Sequence, residues 1–89
     1  MGDTRVVNLR DELCDVYIGR PSKWGNPFKV GRDGTRDECI RKYRSWLPGS
    51  GRLIDIGDLR GKRLGCWCAP LACHGDVLLE FLALSPTPD

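Results

Sequence analysis

The chain has 89 residues, 40% of them hydrophobic and 29% charged, with a formal net charge of +2. That is enough for a single domain, spanning 1–89, with the composition of an ordinary soluble globular protein. A chain of this size buries only about 60–65% of its unfolded surface, so its core is thin. Membrane insertion is excluded by the apolar pattern: the longest apolar stretch, Val77 to Leu84, is broken by Glu80 and is too short to span a bilayer. Asp3 and Arg5 stand where a secretory signal needs an apolar core, and Val6 stands where a myristoylation motif needs Ser or Thr. The expected location is therefore cytoplasmic.

The small net charge conceals a segregation. Between Arg20 and Arg63 there are twelve basic and five acidic residues, whereas both flanks carry an acidic excess. A basic middle favours an anionic partner such as a nucleotide, a nucleic acid or an acidic protein, although a solvated surface that merely aids solubility fits as well.

In chain order, Val6 to Leu9 and Asp15 to Ile18 read as short strands, rich in β-branched and aromatic residues. A long loop follows, Gly19 to Gly34, in which Pro21, Gly25, Pro27 and Gly31 disfavour regular structure. Loops of that length in small domains are more often functional than decorative. The first helix is the clearest element. Thr35 and Glu38 have capping-box spacing, Cys39, Ile40, Tyr43, Trp46 and Leu47 recur at helical intervals, and Pro48-Gly49 ends the run. Its outward face carries Arg41, Lys42 and Arg44. Leu53 to Leu59 suits a strand or a helical turn equally. Arg63 to Cys68 reads as a strand, and His74 to Leu84 as a second helix stopped by Pro86, leaving 85–89 as a loose tail. This order gives an α/β fold: a small single-domain sandwich with a short mixed or parallel sheet flanked by two main helices.

The segment Leu64-Gly65-Cys66-Trp67-Cys68-Ala69-Pro70-Leu71-Ala72-Cys73-His74-Gly75-Asp76 carries the most chemical information. On a strand, Cys66 and Cys68 point to one face and Trp67 to the other. Three readings stand side by side. Cys66, Cys68, Cys73 and His74 have the donor types of a zinc site. Alternatively, Cys73 or Cys68 is a reactive thiolate, Cys73 having the setting of a helix N-terminus beside His74, with which it would form a catalytic couple. In the third reading the cysteines are small buried hydrophobes and His74 only starts a helix. Other chemistries are excluded. There is no Cys-x-x-Cys, no Walker-type phosphate loop and no Gly-x-Gly-x-x-Gly, and neither Cys68 nor Cys73 is followed by the arginine of a cysteine phosphatase loop.

The second informative stretch is Val16-Tyr17-Ile18-Gly19-Arg20-Pro21-Ser22-Lys23-Trp24-Gly25-Asn26-Pro27-Phe28. Arg20 and Lys23 suit phosphate, Trp24 a stacked base and Asn26 a base edge, a set fit for a nucleotide or an unstacked base. The plainer alternative is a Pro-pinned loop whose Trp24 and Phe28 fold back into the core.

These two stretches, with Arg36-Asp37-Glu38-Cys39-Ile40-Arg41-Lys42-Tyr43-Arg44 on the helix between them, resemble the family known as domain of unknown function 4326 over about residues 16–82. The resemblance implies a phage or bacterial domain with a shared fold and two motifs; it implies no reaction. The spacing of Cys66, Cys73 and His74 also resembles a larger Rossmann-like family in which a Glu occupies the position of Cys68. Together these features lead to the expectation of a domain that binds or modifies a nucleotide or nucleic acid, with a Cys/His site facing the Arg20–Asn26 loop. A non-catalytic protein that binds a host factor through Arg41, Lys42 and Arg44 is the alternative, and a self-associating structural subunit is a third.

Overall fold

In the computed structural model the described residues are 4–67, 71 and 73–84. Three strands, β1 (Arg5–Asn8), β2 (Val16–Tyr17) and β3 (Arg63–Cys66), form a sheet in the order β1-β3-β2. Both pairings are parallel, with Val6 and Val16 each opposite Leu64. Helix α1 (Arg36–Trp46) and helix α2 (His74–Leu84) complete the α/β domain, with two 3-10 segments, Pro48–Ser50 and Arg52–Leu59, between α1 and β3. The ambiguous Leu53 to Leu59 is thus 3-10 helix, burying Ile56 and Leu59. The expected ends of the third strand at Cys68 and of the chain at 85–89 lie outside the described residues.

β1 and β2 flank β3 on opposite sides, yet only residues 9–15 join them, so this link must cross β3. It does so at Gly65. A Cβ there would lie 2.5 Å from both Cβ and Sγ of Cys14 and 2.9 Å from Leu9 Cδ2. Glycine is the residue that admits this crossing. Asp15 pins its far end, accepting from the Arg63 N–H at 2.8 Å and from the Arg63 guanidinium at 3.2 Å.

Because strand side chains alternate, Leu64 and Cys66 face away from the crossing and into the core. There they join Val77, Leu78 and Leu82 of α2, Tyr43 of α1, Leu47, Ile18 and Trp24, all buried. The start of α1 follows its local signals. Thr35 accepts from the Glu38 N–H at 3.2 Å, while the Glu38 carboxylate accepts from the Thr35 N–H at 2.9 Å.

Candidate functional site

Parallel α/β sheets offer ligand sites beyond the carboxyl ends of their strands. Here that edge opens into a cleft of about 500 Å3. Its walls come from the end of β2 (Tyr17), the following loop (Arg20, Phe28, Lys29), the first turns of α1 (Arg36, Cys39), the end of β3 (Cys66, Trp67) and the start of α2 (Cys73, His74). The volume is in the range of small-molecule sites.

At the floor, Cys73 immediately precedes α2 and caps it. The Gly75 N–H donates to Cys73 Sγ at 3.2 Å, and the Cys73 N–H donates to Asp76 Oδ2 at 3.1 Å. The Asp76 half matches a capping box, while the thiol, standing where Ser or Thr usually does, accepts from the second helical N–H rather than the third. Gly75 is fixed by close approach: a Cβ would meet Val6 Cγ2 at 2.7 Å and Ile18 Cδ1 at 2.9 Å. Cys66 Sγ lies 3.4 Å from Cys73 Sγ.

His74 Nε2 is 2.7 Å from the Ile18 carbonyl oxygen. A carbonyl only accepts, so Nε2 carries the hydrogen. Burial holds the imidazole pKa below the usual histidine value, with the Arg20 charge acting in the same direction, against the Ile18 bond and the negative groups nearby. The neutral ring therefore turns the Nδ1 lone pair toward Cys73 Sγ, 3.8 Å away. Tyr43 seats this ring edge-on, with centroids 5.1 Å apart, and donates its hydroxyl to the Trp24 carbonyl at 2.8 Å.

The structure gathers part of the expected set. Cys66, Cys73, His74, Arg20 and Asn26 all line the cleft. Arg20 donates to the Asn26 carbonyl at 3.0 Å. Asn26 is occupied in holding the loop: its Oδ1 accepts from the Phe28 N–H at 2.9 Å and its Nδ2 donates to the Cys39 carbonyl at 3.2 Å. Trp24 and Lys23 are absent from the cleft lining. Trp24 is only 5% exposed and belongs to the core, because a core this thin draws in the loop aromatic. Lys23 lies over the Trp24 ring and pairs with Asp55. Of the expected zinc quartet, Cys68 lies outside the described residues. Among the described residues no group of three or more His, Cys, Asp or Glu side chains is arranged to hold a metal.

Tyr17, Lys29, Arg36 and Trp67 also line the cleft, beyond the site residues expected from the sequence. Trp67, 56% exposed, offers the aromatic face that Trp24 does not. Tyr17 and Trp67 were findable, because each closes or follows a strand at the carboxyl edge of a parallel sheet.

The fold and the cleft define a small α/β domain with a cysteine–histidine floor and a basic, aromatic rim. The profile of the family described as domain of unknown function (DUF4326) matches residues 4–84, and the chain belongs to that family. It is similar to uncharacterised protein R718 of Acanthamoeba polyphaga mimivirus, at 35% identity over 80% of this chain and 68% of that protein. It is also similar to an uncharacterised 12.4 kDa protein in the nrdA-td intergenic region of Enterobacteria phage T4, at 40% identity over 88% of this chain and 76% of that protein. The domain is thus found in viral proteins. No solved structure matches the chain. Among the described residues no helix is long and apolar enough to cross a membrane.

Proposed function

We propose that the cleft binds a phosphorylated nucleotide, free or at an unstacked position of a single strand. One observation carries this reading: three cationic side chains, Arg20, Lys29 and Arg36, line one cleft with the exposed aromatic rings of Tyr17 and Trp67. Guanidinium groups recognise phosphate through paired N–H donors, and aromatic faces stack on bases with little regard to sequence. The cysteine–histidine floor then faces the bound ligand. On the competing basic surface of α1, Arg44 is neutralised by Glu80 at 2.7 and 3.1 Å.

The test is titration with nucleoside 5′-monophosphates and a short single-stranded oligonucleotide, followed by tryptophan fluorescence. Binding quenches Trp67, and Trp67→Phe removes the quench while leaving binding measurable by calorimetry. Arg20→Gln and Arg36→Gln each weaken binding by roughly tenfold or more, the worth of a charge-assisted hydrogen bond. Unchanged affinity in both variants, with the fold intact, overturns the proposal, as does an absence of binding to every probe.

A further inference from the structure

Holding a nucleotide makes no use of the two sulfurs at the cleft floor. Cys66 and Cys73 are 2% and 3% exposed, and both residues line the cleft. Their Sγ atoms are 3.4 Å apart. A disulfide bond is about 2.05 Å long, so side-chain motion of well under an ångström at each sulfur closes the gap. The described cysteines, Cys14, Cys39, Cys66 and Cys73, are all thiols here.

The two sulfurs are also chemically unequal. Cys73 Sγ accepts the Gly75 N–H at the positive end of α2 and faces Nδ1 of a neutral His74. The first feature favours the thiolate, which is the attacking form, and the second gives the Cys73 thiol a base that takes its proton as it reacts. Cys66 ends β3, with its sulfur turned toward Cys73. This is the arrangement of an attacking and a resolving cysteine.

We propose that Cys66 and Cys73 are a dithiol pair that a peroxide oxidises to an intramolecular disulfide at the cleft floor. The Cys73 thiolate attacks one oxygen of hydrogen peroxide, the O–O bond breaks, and hydroxide leaves and is protonated to water. Cys73 is then a sulfenic acid, having given up two electrons. Cys66 sulfur attacks Cys73 sulfur, the S–O bond breaks, and the second hydroxide departs as water with the Cys66 proton. Two thiols and one peroxide thus yield one disulfide and two waters. This pairing is independent of what the cleft binds, so it stands or falls apart from the nucleotide proposal.

The experiment treats the reduced, intact chain with stoichiometric hydrogen peroxide, then measures its mass without reductant and maps the cross-linked peptides. The expected product is lighter by two hydrogen atoms and links Cys66 to Cys73. Cys66→Ser halts the reaction at a sulfenic acid on Cys73, which a cyclic 1,3-dione traps. Cys73→Ser, whose hydroxyl keeps the helix cap, abolishes the mass loss while circular dichroism stays that of the parent. A linkage through Cys68 or Cys14 overturns the proposal. So does a mass unchanged under excess peroxide, or thiols that react only after a chelator strips a metal from them.

Discussion

His74 Nε2 and the main-chain carbonyl of Ile18 lie 2.7 Å apart, tying the start of α2 to the segment that leaves β2. Because burial keeps this imidazole neutral, the native protein resists a proton that the unfolded chain accepts. Its contribution is complete above the unfolded histidine pKa of about 6.5 and is lost as pH falls below that value, until the buried ring itself protonates. Denaturant unfolding between pH 7.5 and 5 therefore shows falling stability in the parent, and His74→Gln flattens that slope.

Gly65→Ala forces a methyl group onto Cys14 Cβ and Sγ and onto Leu9 Cδ2; the Leu9 tip can turn aside, but Cys14 Cβ is fixed by its own backbone. Overpacking of this kind costs about 1–3 kcal/mol, read as a lowered urea midpoint. The double variant Gly65→Ala with Cys14→Gly recovers part of the loss, because it removes the atoms that the new methyl meets.

Tyr43 joins α1 to the loop through the Trp24 carbonyl and flanks His74. Burial raises its phenol pKa well above the ordinary value, so the hydroxyl stays a donor across the working pH range. Tyr43→Phe leaves the Trp24 carbonyl without that donor and lowers stability by about 1–2 kcal/mol in the same unfolding assay.

The cap of α2 separates structural from chemical roles of Cys73. Asp76→Ala removes the carboxylate that accepts the Cys73 N–H and costs about 1 kcal/mol. Cys73→Ser keeps a side-chain acceptor for the Gly75 N–H and leaves the thermal midpoint nearly unchanged, whereas Cys73→Val lowers it.

What the sequence made legible was local. The limits of α2 and the Thr35–Glu38 cap of α1 follow from neighbours within one turn, and the structure places both as expected. β1 is shifted by one residue from the expected Val6 to Leu9, and β2 is two residues where four were expected, with Leu9 and Ile18 just outside the strands donating their N–H groups to Cys66 and Gly65 of β3. The partners of Trp24 lie on α1 and beyond, so no local pattern could distinguish a stacking platform from a core residue. Trp67 was hidden for the opposite reason: strand alternation set it apart from Cys66, yet it sits just past the strand end, where both residues reach the cleft.

The most direct measurement of ligand binding at the cleft is a titration of the isotope-labelled protein with a nucleoside 5′-monophosphate, followed by amide chemical shifts. Binding at the proposed site shifts the amides of Tyr17, Gly19, Arg20, Lys29, Arg36, Trp67 and Gly75, while the α1 face around Arg41 and Arg44 stays still. Shifts confined to that α1 face, or an unchanged spectrum at millimolar ligand, contradict a nucleotide site at the carboxyl edge of the sheet.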